Sequence, residues 1–191
     1  LLTSGADPND GFPWQPGEEH LLSALYGALG HANKLPLAEL LLDSGATPND
    51  NESLYHATEL PSRDGLRLLL KHGADPTGTN ALPRALDFGD LETITLLLEH
   101  GADPNEGVAD HPSGEAPIAQ PALHQAARRW CSGEVVQALL DHGADPAARW
   151  QGLTPYATAR VYGNTEAVKV LARAGHAPAL TEAEENLAAC A

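Results

Sequence analysis

Leu96-Leu97-Leu98-Glu99-His100-Gly101-Ala102-Asp103-Pro104-Asn105 begins as the apolar end of a helix and finishes as a helix stop. Glycine just past the last turn adopts the left-handed backbone cheaply, and a proline soon after keeps the helix from resuming. The same pattern recurs in Leu40-Leu41-Leu42-Asp43-Ser44-Gly45-Ala46-Thr47-Pro48-Asn49 and in Leu68-Leu69-Leu70-Lys71-His72-Gly73-Ala74-Asp75-Pro76-Thr77. It returns in Leu139-Leu140-Asp141-His142-Gly143-Ala144-Asp145-Pro146-Ala147. Gly5-Ala6-Asp7-Pro8-Asn9 and a decayed Gly175-His176-Ala177-Pro178 complete the series. From Gly5 through Gly45, Gly73, Gly101 and Gly143 to Gly175 the spacing is uneven, but its mean falls within the period of about 20–50 that marks a stacked-repeat architecture.

Upstream of each stop lies a second recurring element. Leu123-His124-Gln125-Ala126-Ala127, Leu82 with Ala85, and Thr154-Pro155-Tyr156 each open a first helix, and Gly89-Asp90 and Gly163-Asn164 turn into a second. Leu54 to Gly73, Leu82 to Gly101 and Tyr156 to Gly175 are the same distance apart along the chain. This pattern resembles the ankyrin repeat, and the resemblance covers nearly the whole chain. It implies an all-α helix–turn–helix solenoid with short inter-repeat fingers. The reading places a partial repeat at 1–17, repeats at about 18–49, 50–77, 78–105, 117–147 and 150–178, and a partial repeat or cap at 180–191.

The chemistry of the pattern is local. Thr154, Asn80, Ser62, Asp90, Ser132 and Asn164 are candidate N-caps, and Pro155 suits a first helical position, where a missing donor costs nothing. His72, His100 and His142 fall in last helical turns, where donors meet free carbonyls. Leu66/Leu69/Leu70, Ile94/Leu97/Leu98 and Val136/Leu139/Leu140 have the spacing of an apolar helix face. Ala57, Ala85, Ala126 and Ala159 are small where first helices pack closely.

Some repeats depart from the family's period of about 33 residues. The second and third are short, and because their Leu-to-Gly offset is intact, the loss falls in the fingers. In the first, Leu21 stands five positions farther from Gly45 than that offset, which places an insertion of five around Gly27 to Asn33. Residues 106–120, with Pro112, Ser113, Gly114 and Pro117, read as an inserted surface loop, functional or merely tolerated. Leu1 to Gly5 reads as the end of a second helix, and Glu185 to Ala191 as the opening of another first helix with Leu187 in register. The chain is therefore expected to be part of a longer one, or else Thr181 to Ala191 is itself a capping helix.

Composition narrows the function. Hydrophobic residues make up 42% of the 191, enough for a core, and 26 acidic against 11 basic residues give a net charge of −15. That charge disfavours a phosphate backbone, so no nucleic-acid partner is expected. No apolar run approaches the length of a membrane span, so no membrane partner is expected either. Cys131 and Cys190 are too few for a disulfide framework or a thiolate zinc site, which fits a cytoplasmic protein. Nine histidines raise the question of a metal. His72, His100 and His142 stand a repeat apart, roughly 10 Å, and share no ion. His124 reads as structural. Cys131 beside Trp130 has no identifiable catalytic partner, and no nucleophile, zinc-protease or phosphate-loop motif occurs. No catalytic residue, metal or cofactor is expected.

What remains is a surface. The resemblance implies a monomeric, non-catalytic module that binds another protein through its concave face and fingers, or a regulatory or targeting arm of a longer chain. Carrying the register across gives Tyr26, His56 and Glu59, then Arg84, Asp87 and Phe88, then Gln125, Arg128 and Arg129, then Thr158, Val161 and Tyr162 as exposed candidates. Phe12 and Trp14 lie on one finger and Arg149-Trp150-Gln151 on another. Aromatic and Arg side chains are enriched at binding hot spots. Phe88 or Trp130 alternatively seals a gap between repeats. Residues 1–120 carry 5 basic and 19 acidic groups, but residues 121–178 carry 6 and 4. A locally basic strip on an acidic body favours an acidic partner segment, unless its arginines are only solvated.

Overall fold

The computed structural model describes residues 2–13, 17, 21–107 and 120–190. Trp14, and the 106–120 insertion apart from Glu106, Gly107 and Gln120, lie outside the described residues. The chain forms two compact units, Leu1–Ala81 and Leu82–Ala191.

The N-terminal unit begins with one 3-10 turn, Leu2–Ser4. An antiparallel hairpin follows, β1 (Gly11–Pro13) with β2 (Leu21–Ser23), Phe12 standing opposite Leu22. Helix α1 (Ala24–Tyr26) runs into a π-turn at Gly27–His31 and is followed by α2 (Leu35–Asp43). Helix α3 (Ser53–Ala57) is followed by α4 (Asp64–Lys71). Leu25, Leu29, Ala38, Leu41, Leu54, Leu66 and Leu69 are buried between them. Each buried leucine contributes about 1.5–3 kcal/mol.

The C-terminal unit repeats the arrangement. Its first helices are α5 (Ala81–Phe88), α7 (Ala122–Arg128) and α9 (Pro155–Val161). Its second helices are α6 (Leu91–Glu99), α8 (Gly133–Asp141) and α10 (Thr165–Arg173). Helix α7 packs on α9 and α9 on α11 (Glu182–Ala188), while α6 packs on α8 and α8 on α10. Ala85, Ala126 and Ala159 are at most 1% exposed, so the small side chains do let first helices approach. Ile94, Leu97, Val135, Val136, Leu139 and Leu171 of the second helices form the rest of the core. Both units are mostly helical and built from helix–turn–helix pairs, and the β1–β2 hairpin of the N-terminal unit is the one sheet among the described residues.

The recurring stop has a specific bonding pattern. Gly45, Gly73, Gly101, Gly143 and Gly175 all have φ between 83° and 98°. The aspartates after them close Asx turns: Asp75 Oδ1 accepts from Thr77 N at 2.9 Å, Asp103 from Asn105 N at 2.8 Å and Asp145 from Ala147 N at 2.8 Å. The asparagines then stitch one turn to the next. Asn49 Oδ1 accepts from Asp75 N at 2.8 Å. Asn105 accepts from Asp145 N at 2.8 Å and donates to Gly143 O at 3.0 Å.

Thr154, Asp90, Ser132 and Asn164 cap their helices through side-chain oxygens, as expected. Ser62 does not stand at the cap. Arg63 holds that position, and Ser62 Oγ instead accepts from Asp64 N at 3.2 Å. His100 and His142 place Nδ1 2.8 Å from Leu96 O and Ala138 O, whereas His72 has Nε2 3.9 Å from Asp43.

Two register expectations are corrected. Leu21 is not a first-helix residue but part of β2, and the helix starts at Ala24 with Ser23 as its cap. Leu25 is then the buried first-helix leucine, one position farther from Gly45 than the standard offset, so the surplus is one and not five. A single extra residue inside a helix is what a π-turn accommodates, and Gly27–His31 is that turn. At the other end, α11 starts at Glu182 behind a Thr181–Glu184 capping box, where the alternative reading of a capping helix from Thr181 begins it and not at Glu185, and Leu187 is 54% exposed.

Candidate functional site

Most of the candidate binding residues belong to the C-terminal unit, along α5, α7, α9 and the finger between α8 and α9. Helix geometry sets their order. Arg84 and Phe88 are one turn apart on α5, so the Arg84 guanidinium lies 4.8 Å from the Phe88 ring centre. Asp87 collects donors from three directions: Arg129 Nε at 2.8 Å, Gln125 Nε2 at 2.9 Å and Arg84 Nη1 at 3.5 Å. Gln125 Nε2 is also 2.8 Å from Pro83 O, which ties α7 to α5. Gln125 is therefore buried and structural, not the exposed contact expected, and Thr158 at the matching place on α9 is fully buried.

The finger positions Trp150. Gln151 and Gly152 both have positive φ, 51° and 82°, the requirement of a tight two-residue hairpin turn, and Trp150 pairs with Leu153 across it. Arg149 Nη1 donates to Gly152 O at 2.6 Å. His124 anchors the finger from below, with Nε2 3.0 Å from Leu153 O, and burial lowers its pKa. Its ring meets Trp150 edge-on at 6.2 Å. It is structural, in keeping with the reading of the sequence.

Arg128 is the centre of the strip. Its guanidinium lies 5.1 Å from the Trp150 ring centre and 5.5 Å from that of Tyr162, and Nη1 donates to Gln120 Oε1 at 2.9 Å. Cation–π contacts of this kind contribute about 0.5–2 kcal/mol each and hold the arginine in one orientation. Phe88, Trp130 and Tyr162 stay 55%, 65% and 38% exposed, so none of them is a sealed gap-filler. Cys131 is buried, with Sγ 3.3 Å from Leu86 O. Burial, reinforced by nearby Asp87, pushes its thiol up to about 11, away from the thiolate form.

Tyr26 and His56 form a separate cluster in the N-terminal unit. Their rings are 5.0 Å apart, and His56 lies 3.5 Å from Glu52 and 2.9 Å from Glu59. Hydrogen bonds to Glu52 and then Glu59 raise the His56 pKa against the lowering by burial. A group whose pKa is raised by folding adds stability below its unfolded value, and that stability is lost as pH rises through the folded value. The thermal midpoint of the protein relative to His56→Gln is therefore expected to be higher near pH 6 than near pH 9, about the range where histidine titrates. Equal differences at both pH values in a melting series would remove His56 as a contributor.

Among the described residues no helix is long and apolar enough to cross a membrane. Paired helices joined by tight turns, repeated Gly-Ala-Asp stops and bonded fingers define a helical repeat protein. Comparison with known proteins agrees. The pattern described as ankyrin repeats (3 copies) matches residues 20–107, and a single ankyrin repeat matches residues 120–150. The chain belongs to the ankyrin repeat family. It is similar to an ankyrin repeat domain from Acinetobacter baumannii AYE, with 28% identity and a TM-score of 0.65, over 83% of this chain and 84% of that one. No curated protein matches the chain. Ankyrin repeats are in general protein–protein interaction modules, and the fold is typically non-catalytic.

Proposed function

We infer that this chain is a non-catalytic interaction module that binds a protein segment along the α5–α7–α9 strip and the Trp150 finger. The observation that carries this reading is the alternation of aromatic and guanidinium groups there: Arg84 over Phe88, Arg129 on Asp87, and Arg128 against Trp150 and Tyr162. Side chains held by one another lose little entropy when a partner arrives, and exposed aromatics supply apolar area. The surplus of arginine over carboxylate in residues 121–178 suits an acidic segment.

The test is affinity capture of a partner from the source cell, followed by calorimetric titration. Trp150→Ala and Arg129→Ala are each expected to weaken binding by about 2 kcal/mol. Lys71→Ala on α4 and Glu99→Ala on α6, both exposed, should change it by no more than about 0.5 kcal/mol. Loss of binding on the α4 and α6 changes with retention on the other two would reverse the assignment.

A further inference from the structure

Within each unit the second helices stack: α4 packs on α2, α8 on α6 and α10 on α8. Two positions mark the flank turned to the preceding helix, eight and five residues ahead of the closing glycine. On α10 they are Ala167 and Val170, both buried, and a Cβ built on Gly133 of α8 would stand 3.1 Å from Val170 Cγ2. On α4 they are Gly65 and Leu68, also buried. On α8 Val135 is buried and Ala138 half-buried. On α2 the same positions are Leu37 and Leu40, and they are 47% and 53% exposed.

The wall opposite α2 is built. Asn9 Oδ1 accepts from Thr47 N at 2.8 Å and Asn9 Nδ2 donates to Gly45 O at 3.2 Å, the same bonds that Asn105 makes to the turn after it. These bonds hold the 5–9 stop in register beside the repeat of α2. Between residues 2–10 and α2 lies an open groove of about 680 Å³. Leu2, Ala6, Pro8, Leu37, Leu40 and Leu41 make its lining apolar. Ala6 is exposed there, whereas Ala46, Ala74, Ala102 and Ala144, its counterparts in the other stops, are buried. The rim is acidic: Asp7 and Asp10 line the groove, and Glu39 and Asp43 are exposed on α2. Residues 1–50 hold 7 acidic groups and one basic group, Lys34.

We propose that the groove between residues 2–10 and α2 docks an amphipathic helix of a partner protein, with leucine-sized side chains in the groove and Lys or Arg along the flank. Three observations select this occupant. A helix fills the matching place in later repeats, so the groove has the shape of a helix. Leu37, Leu40 and Leu41 present the spacing of three and four residues through which helices meet apolar grooves. The acidic rim complements a basic flank. The same charge works against a second copy of the chain, since each carries −15 and its own second helices already commit Leu66, Leu69, Ile94 and Leu97 to the core. Apolar burial supplies the attraction, and the rim chooses which helix comes. This surface is separate from the α5–α7–α9 strip and has the opposite preference in charge.

Three labelled peptides of about 18 residues, long enough to hold a helix, test the proposal. The first has leucines spaced i, i+3, i+4 and i+7 and lysines on the flank. The second replaces its lysines with glutamates, and the third scrambles the first. The readouts are fluorescence-anisotropy affinity and the methyl resonances of Leu37 and Leu40. The lysine peptide is expected to shift both sets of methyl resonances saturably and to bind roughly tenfold more tightly than the glutamate peptide at low salt, because several exposed ion pairs add up. Leu40→Glu separates apolar docking from charge alone, since it adds a negative charge while spoiling the wall. It should weaken the lysine peptide about tenfold. If Leu40→Glu lowers the melting point, the resonances of the unaltered protein decide. Unshifted resonances, equal binding of the scrambled peptide, or tighter binding to Leu40→Glu would overturn the groove. Equal binding of the glutamate peptide would overturn the basic partner in favour of any repeat-like helix. Dimerisation in sedimentation that Leu40→Glu abolishes would give the groove to a second copy instead. Trp150→Ala should leave the lysine peptide unaffected; a loss there would place the peptide on the strip and overturn the groove.

Discussion

Asn164→Ala is expected to lower the thermal midpoint by about 5–15 °C, corresponding to about 2–4 kcal/mol in a chain of this size. Asn164 is 3% exposed and joins two helix pairs. Its Oδ1 accepts from Ala167 N at 3.0 Å and so caps α10. Its Nδ2 lies 3.1 Å from Cys131 O, 3.3 Å from Ala126 O and 3.4 Å from Ala127 O, the carbonyls at the end of α7 and its turn. Alanine removes a cap worth about 1 kcal/mol. It also removes the side-chain donor from the Ala127 and Cys131 carbonyls, at about 1–3 kcal/mol for an unmet group, while Ala126 O keeps Cys131 N at 3.0 Å. Ser132→Ala on α8 is the control, because it loses a cap at 3.3 Å on an exposed residue and strands nothing comparable. Scanning calorimetry should rank Asn164→Ala well below Ser132→Ala. Equal midpoints would mean that the bridge across the turn carries no stability.

Gly101→Val is expected to cost about 2 kcal/mol or more, through the backbone alone. Gly101 has a φ of 98°, and a Cβ built there meets nothing within 4 Å. Steric clash with neighbours is thus not the cause of any loss. The cause is the left-handed conformation, which a β-branched residue adopts at high cost. Gly101→Asn, whose side chain tolerates that region, should lose clearly less. A chemical melt in which Val and Asn variants have the same midpoint would show that the helix end relaxes to another conformation.

The candidate site was legible only in part. Arg84, Phe88, Arg128, Trp150 and Tyr162 stood out because arginine and aromatic residues are conspicuous and the register carried them to one edge. Gln125 and Thr158 were placed on that edge by the same register, yet both are buried, because α5, α7 and α9 approach closely over Ala85, Ala126 and Ala159. Register gives a direction from the helix axis but not how near the next helix comes. Nothing in the residue type of Gln120 marks it for the strip. Its only signal was its place just before α7, and its pairing with Arg128 depends on two side chains folding back on each other across the first turns of that helix.

The repeat, its stops, most of its caps and the family could all be read along the chain. Those features are local: a left-handed glycine, an Asx turn and a helix cap each involve residues within about four positions of one another. Other features exist only once the chain has packed. The first repeat shows why: counting from Leu21 put the surplus at five, but Leu22 and Leu25 are both buried, and pairing of β2 with β1 makes Leu21 part of a strand. Likewise, Arg128 on α7 is ordered by Trp150 on the following finger and by Tyr162 at the end of α9. No local rule specifies which arginine will meet an aromatic face, because that contact forms only after α7, α9 and the finger have come together.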